Sequence, residues 1–385
     1  MGLKELIKQG YVFPALLPEK NDFLLNEEGR QLKGRAEDLL GRGSRFLELS
    51  RLDDLAGYTV PLIAHDYGAK TPVMWNTLYG KLGLNIRNIM VVGNPENAEI
   101  IFKYLKEDPK YLGGGAGVGF KEKLGFLDEV CPEDLKAINI IVNERGRLIG
   151  YNTDASGFVK SLEGKLAGVG KRVQGGKFIL VGAGGVAKEV ARYLADKNAD
   201  YIAIINRTFS KAVAIANELN VLAGRDLAVA AGENMTRGFL LNSEIKPDAV
   251  INLSDKGTDK FPDATFFYST TDNSGRDLSP EIIEHISRDT IRLSVTLNPE
   301  MIYADIVLPS FGRSKSLRLI EGELRQALER TGKDANKYIL DGIPMVVYQA
   351  APAYVKVQDA HMVIHEKKVS EDEALEVFKK AASLV

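Results

Sequence analysis

The amino-acid sequence predicts an α/β protein of two domains. Short apolar runs of strand length alternate with amphipathic stretches of helix length from Tyr58 onward. The alternation comes in two blocks, divided by the Gly- and Lys-rich stretch AGVGKRVQGGK. The length, 385 residues, suits two or three domains at about 100–200 residues each.

Residues 1–57 are mixed. KELIKQG and EEGRQLKGRAEDLLGRGSRFLELSRL carry apolar residues at helical spacing with charges between them. YTVPLIA is a strand, and PVMWNTLYGKLGL a helix opening at Pro72 and closing near Gly83, with Trp75 in its core face. IRNIMVVG is a strand, NAEIIFKYLKED a helix and AGVGF another short strand. A helical piece near Pro132–Ile138 precedes NIIVNERGRLIGYNT, a hairpin about the turn Glu144–Gly146. ASGFVKSLEGKL is a connecting helix, and the second α/β block runs from Phe178 to about Leu340. The stretch from MVVYQAAPAYVKVQ to EDEALEVFKKAASLV is helical, and 222–300 is an elaboration of the second block.

Composition narrows the function. Lys plus Arg number 50 against 52 Asp plus Glu, a net charge of −2, which excludes a broad nucleic-acid-binding surface. One cysteine, Cys131, excludes an intramolecular disulfide framework and a CxxC metal site. MGLKELIKQGYVFPALLPEKN lacks an apolar core with a cleavage site, and no run approaches the ~20 apolar residues of a membrane span. The expectation is a cytoplasmic protein with a small-molecule substrate, neither nucleic acid nor membrane as partner, and a homodimer as an open option. His361 and His365 stand four apart, but no third ligand accompanies them. They are read as exposed helix histidines, and no metal is expected.

The most informative segment is KFILVGAGGVAKEVARYLADKNADYIAIINRT. An apolar strand, the turn Gly182–Ala183–Gly184–Gly185, a helix opening at Val186 and a second apolar strand form a βαβ unit of dinucleotide-binding length. Gly182 allows the tight turn, Gly184 lets backbone approach a pyrophosphate, and the helix N-terminus offers N–H groups to its charge. Ala187 replaces the third glycine with another small residue. An acidic residue ending the second strand would select NAD. This chain has Asn206, Arg207 and Thr208, with Lys211 one turn on, which suit the 2′-phosphate of NADP. The competing reading is a Gly-rich turn with no nucleotide. A second cluster, Gly113–Gly119, is not read as a nucleotide loop, because no buried strand leads directly into it and no long helix follows.

Four blocks in order then resemble the shikimate dehydrogenase family, over roughly Tyr58 to the C-terminus outside 222–300. GRLIGYNTDASGFVKSL is similar to its GRLxGxNTDGxGF, and NRTFSKA to its NADP-selecting NRTxxKA. DGIPMVVYQAAPAY and KTPVMWNTLYGKLGL resemble its QAA and HNxAFxxLGL helices, and GAGVGFKEK stands in place of its NVTxPxK loop. The resemblance implies two α/β domains facing across a cleft, the second Rossmann-like and NADP-binding, with C-terminal helices returning to the first. The expected division is an N-terminal extension, 1–57, a substrate-binding and catalytic domain, 58–160 with 342–385, and an NADP-binding domain, 161–341. It also implies reversible oxidation of a ring alcohol to a ketone, with Lys121 and Asp154 flanking the reacting hydroxyl. A lysine beside a carboxylate, partly desolvated, suits that proton transfer. Lys123 competes with Lys121, and a helix cap or Asx turn competes for Asp154.

Substrate contacts carried over are Lys70, Thr71, Asn139, Thr153 and Gln349. Here the family's two serines of SxSP become Ala69 and Thr71, and its NVT residues become Gly115 and Gly117. These changes imply a related, non-shikimate substrate, with glycines 113–119 leaving room for a larger molecule. Tyr303 lies near the place of a family tyrosine without matching it. The alternatives are a non-catalytic NADP-binding regulator of the same fold and a methylene-folate-type dehydrogenase.

Overall fold

A computed structural model describes residues 2–14, 57–65, 71–254, 276, 278–306, 314–329 and 332–382. The helix read over EEGRQ to LSRL, Ala69 and Lys70, and STTDNSG lie outside these. The chain forms two compact units, 1–153 with 349–385, and 154–348. One change falls at the start of helix Asp154–Ala167 and the other inside helix Ile343–Ala360, rather than at 160 and 341. Among the described residues no helix is long and apolar enough to cross a membrane.

The first unit is built on seven strands: β1 (Val12–Pro14), β2 (Tyr58–Ala64), β3 (Ile86–Gly93), β4 (Gly113–Ala116), β5 (Glu129–Cys131), β6 (Ile140–Glu144) and β7 (Arg147–Tyr151). Their order is β1-β3-β2-β4-β6-β7-β5. β2 runs parallel to β3 and β4, and β6 and β7 form the hairpin. Its turn residues Arg145 and Gly146 have φ of 54° and 84°, the left-handed pair a two-residue hairpin turn requires. Helices Leu3–Gln9 and Ala98–Lys106 share one apolar cluster through Leu6, Ile7, Phe102 and Leu105. Residues 2–14 are thus part of this unit, and β1 pairs antiparallel with β3 at its edge. Helix Thr71–Leu82 contributes Trp75 and Tyr79, which pack edge-on or tilted against Tyr354.

Two local expectations are corrected. The strand is Gly113–Ala116 itself, and GVGF is a turn. Glycine here serves close packing: a Cβ at Gly114 would strike the Pro61 carbonyl, and one at Gly113 the Ile141 carbonyl. Residues 132–138 form bends and turns, not a helix. Buried Leu135 and Ile138 are three apart, which mimics one helical turn.

The second unit holds six parallel strands: β8 (Lys177–Val181), β9 (Tyr201–Asn206), β10 (Ala228–Gly232), β11 (Ala249–Asn252), β12 (Ile302–Asp305) and β13 (Ile339–Leu340). Their order, β10-β9-β8-β11-β12-β13, is that of a doubly wound dinucleotide-binding sheet. Phe178 and Leu180 face one core, Ile179 and Val181 the other, so the strands are apolar throughout. Helices Asp154–Ala167, Gly185–Asp196 and Phe209–Ala223 cover the first face, and Pro280–Leu297 and Lys315–Glu329 the second. The strand order reverses between β8 and β11, and ligands bind doubly wound sheets at the carboxyl ends of such strands.

Candidate active site

The glycine turn lies at that reversal. Gly182 has φ of 120°, and its N–H donates to the Ile205 carbonyl at 2.8 Å. A Cβ there would come within 2.7 Å of the Leu253 carbonyl group and 2.9 Å of Ser254 N. Gly184 is exposed and caps helix Gly185–Asp196, with nothing within 4 Å of where its Cβ would stand. Ala183 and Val186 are half-buried and Gly185 exposed, so backbone at the helix head faces outward. Ala187 is 1% exposed, which explains why a small residue suffices at the third glycine position.

Beyond β9, Arg207, Thr208 and Lys211 are all exposed. Asn206 donates to the Thr208 carbonyl at 3.0 Å, and the Thr208 hydroxyl makes no capping bond to its helix. Lys188 pairs with Glu218, and Arg192 with Glu189 and Glu218. Those cations stitch two helices together, while the Arg207–Lys211 group faces solvent. These features fit a phosphate-bearing dinucleotide: a tight turn whose Gly182 admits no Cβ, an exposed helix head and an exposed cationic strand end.

In the first unit the structure joins three of the carried-over contacts. Asn139 Nδ2 donates to Thr153 Oγ1 and Gln349 Oε1, both at 2.9 Å. Its Oδ1 accepts from the Thr153 backbone N–H at 2.9 Å, and Thr153 Oγ1 donates to the Gln349 carbonyl at 3.0 Å. Asn139 is tied to the hairpin by its own N–H, which donates to the Tyr151 carbonyl at 2.9 Å. The residue that leads into β6, a loop residue and a helix residue thus meet in one polar cluster, with Asn139 and Thr153 buried. Asn152 anchors the loop on the Ala137 carbonyl at 3.0 Å.

Asp154 follows this cluster directly, is 5% exposed and sits in the first turn of helix Asp154–Ala167, where the helix dipole favours a carboxylate. Lys121 is half-buried in the turn after β4, its N–H donating to Gly117 O at 3.2 Å and its carbonyl accepting from Ile138 N at 2.9 Å. Lys123 instead makes an exposed ion pair with Glu96 at 2.9 Å. Thr71 opens its helix half-buried. Lys70 lies outside the described residues.

Two further expectations change, on the glycines and the histidines, and Tyr303 gains a place in the core. Glycines 113–117 do not open a pocket: the space beside them holds the β2 and β6 strands, and a Cβ at Gly117 would come within 2.6 Å of Ala64 Cβ. Tyr303 is fully buried on β12 and shares a 2.8 Å hydrogen bond with Ser294. It is a core residue. The histidines are not exposed. His365 is 1% exposed against Tyr354, and His361 Nε2 lies 2.8 Å from the Leu112 carbonyl. Burial lowers the pKa of both, that of His365 to about 4. Among the described residues no cluster of His, Cys, Asp and Glu could hold a metal ion.

The sequence also left unread a buried polar group at the carboxyl ends of β11 and β12, Asn252 with Asp305. The available signal was a single polar residue ending each of two otherwise apolar strands.

Comparison with known proteins fits this geometry. Residues 166–231 match the family model described as shikimate / quinate 5-dehydrogenase. The chain is 31% identical over 246 residues to the shikimate dehydrogenase (NADP(+)) of Desulforamulus reducens, covering 59% of this chain and 79% of that one. It is 28% identical to that of Halothermothrix orenii, covering 78% and 91%. Among solved structures, the shikimate 5-dehydrogenase of Listeria monocytogenes, in complex with shikimate and NAD, has the same fold, with a TM-score of 0.58 at 20% identity over 86% of this chain and 99% of that one. The chain belongs to the shikimate dehydrogenase family. The methylene-folate-type alternative falls with that result.

Proposed function

We propose that the protein is an NADP-dependent dehydrogenase interconverting a ring alcohol and its ketone on a shikimate-like cyclic polyhydroxy carboxylate. The observation that carries this is the Asn139–Thr153–Gln349 cluster leading directly into buried Asp154, in a chain of this family. Such a cluster presents amide and hydroxyl groups held by one another, as recognition of a polyhydroxylated ring requires.

The turn Gly182–Ala183–Gly184–Gly185 and Val186 hold the pyrophosphate, and Asn206, Arg207, Thr208 and Lys211 surround the 2′-phosphate. When bound, NADP supplies the hydride acceptor. Lys121 Nζ takes the proton of the reacting hydroxyl during oxidation and returns it during reduction. The Asp154 carboxylate balances the positive charge that develops on Lys121 as it takes that proton. Asn139, Thr153 and Gln349 orient the remaining hydroxyls, and Thr71 with Lys70 holds the carboxylate. With Ala69 at one serine position, the neighbouring Lys70 replaces the lost hydroxyl contact with a cation.

The test is turnover by the purified full chain with NADP or NAD and a panel of cyclic hydroxy acids including shikimate and quinate, followed by nicotinamide absorbance. Turnover with NADP and at least one of these acids is expected. NADP binding with no turnover on any of them would instead support a non-catalytic regulator.

A further inference from the structure

The strand end that closes the back of the cofactor turn is held by a chain of buried polar groups. Leu253 and Ser254 are the residues a Cβ on Gly182 would meet, at 2.7 and 2.9 Å. Their backbone is shaped by Asn252, whose Oδ1 accepts from Ser254 N at 3.1 Å and Ser254 Oγ at 2.6 Å. Asn252 Nδ2 in turn donates to Asp305 Oδ1 at 3.0 Å. The other carboxylate oxygen accepts from Ser314 Oγ at 2.6 Å, and Ser314 Oγ accepts from Leu317 N at 3.2 Å at the head of helix Lys315–Glu329. Asn252 and Asp305 are fully buried and Ser314 is 1% exposed.

A carboxylate in this place is costly for stability alone, since burial strips its water and only well-placed donors offset that. Two apolar residues would join β11 to β12 without that cost. What they could not do is fix a side-chain amide so that its oxygen grips the Ser254 N–H and hydroxyl at once. We propose that Asp305 is a positioning residue for the nicotinamide cofactor: through Asn252 it fixes the Leu253–Ser254 backbone against which the Gly182 turn lies. This rests on the NADP reading of the glycine turn.

The donor and acceptor pattern makes the proposal testable by exchange. In Asp305→Asn the amide NH2 faces one of the two donors: against Asn252 Nδ2 it sets donor against donor, and against Ser314 it forces the hydroxyl to accept, so that the Ser314 O–H loses its acceptor. In Asn252→Asp two carboxylates meet. In the double exchange Asn252→Asp/Asp305→Asn every bond is restored: the carboxylate now on β11 accepts from Ser254 and from the amide now on β12, whose oxygen accepts from Ser314. NADPH titration of the full chain by its fluorescence, below the melting temperature of each variant, reads the effect. Each single variant weakens NADPH binding roughly tenfold or more, and the double exchange returns it to within about threefold of wild type. An Asp305→Asn protein that binds NADPH as tightly as wild type overturns the proposal. So does a double exchange that recovers the wild-type melting temperature without recovering affinity, and this holds even where a single variant does not fold. A wild-type chain that binds no NADPH brings down the cofactor reading first, and the positioning role with it.

Discussion

Two glycines of one turn have different physical tasks, and alanine separates them. Gly182 has φ of 120°, a region that only glycine occupies freely, so alanine there is strained by about 1–3 kcal/mol. Its Cβ would also press on the Leu253 carbonyl group at 2.7 Å and Ser254 N at 2.9 Å. Both are backbone and cannot swing aside, which adds about 1–3 kcal/mol of overpacking. The sum, roughly 2–6 kcal/mol, is a large share of a typical stability of about 5–15 kcal/mol. At about 2–4 °C per kcal/mol for a unit of this size, Gly182→Ala lowers the melting temperature by roughly 10 °C. Gly184 has φ −83° and ψ −176°, open to any residue, and no atom lies within 4 Å of the place its Cβ would take. Gly184→Ala changes stability by less than about 1 kcal/mol. Its methyl nevertheless stands where backbone must approach the pyrophosphate, and a loss of about 1.4 kcal/mol there weakens NADPH binding tenfold. Thermal melting and NADPH fluorescence titration of both variants give the answer. A Gly184→Ala protein with wild-type affinity refutes the phosphate cradle, and an unshifted melt of Gly182→Ala refutes the close backbone approach.

Arg207→Ala removes a charge-assisted contact worth about 1.5–3 kcal/mol, so NADP affinity falls tenfold or more while NAD affinity stays within about twofold; equal losses for both cofactors contradict the 2′-phosphate role. Asn139→Ala leaves the buried Thr153 N–H without its acceptor, at about 1–3 kcal/mol, and raises KM for the ring substrate with NADPH affinity unchanged; an unaltered KM removes Asn139 from the substrate site. Burial holds the His365 pKa at about 4, below the usual 6.5, so the unfolded chain takes up the proton more readily. Its share of stability is present above pH ~6.5 and is lost as pH falls towards ~4, by about 3 kcal/mol at most. His365→Gln flattens that acid limb of the melting profile, and an identical limb in the variant excludes His365 as its source.

Much of this was legible in the sequence, for a physical reason. β8 and β9 are buried on both faces, so they appear as unbroken apolar runs, and the helix between them shows its buried side as Ala187, Val190 and Leu194. The glycine turn stands out because φ above zero and close backbone contact leave few other residues possible. Less visible were features that depend on distant partners. β1 is three residues at a sheet edge, too short to show alternation. The Gly113–Ala116 strand carries almost no side chains, so it has no hydrophobic signature, although two neighbouring strands crowd it. His361 and His365 have the spacing of exposed helix residues, yet His361 sits in the break between helices Ile343–Ala360 and Met362–His365 and His365 ends the second of them, packed inward. Lys121 and Lys123 are alike in sequence, and the ion pair of Lys123 with Glu96 is a contact that no local pattern shows. The Asn252–Asp305 pair joins residues 53 positions apart, beyond any local pattern.

Oxidation of a ring alcohol with NADP through proton transfer at Lys121 is the step on which the proposed function stands. It is measured by steady-state NADPH formation with wild type, Lys121→Ala and Lys123→Ala on the best cyclic hydroxy acid found, with NADP affinity determined alongside. Proton transfer at Lys121 requires that Lys121→Ala lower kcat by about 10²–10⁴-fold with NADP affinity unchanged, while Lys123→Ala stays close to wild type. A Lys121→Ala enzyme with wild-type kcat, or a Lys123→Ala enzyme that loses it, contradicts that assignment.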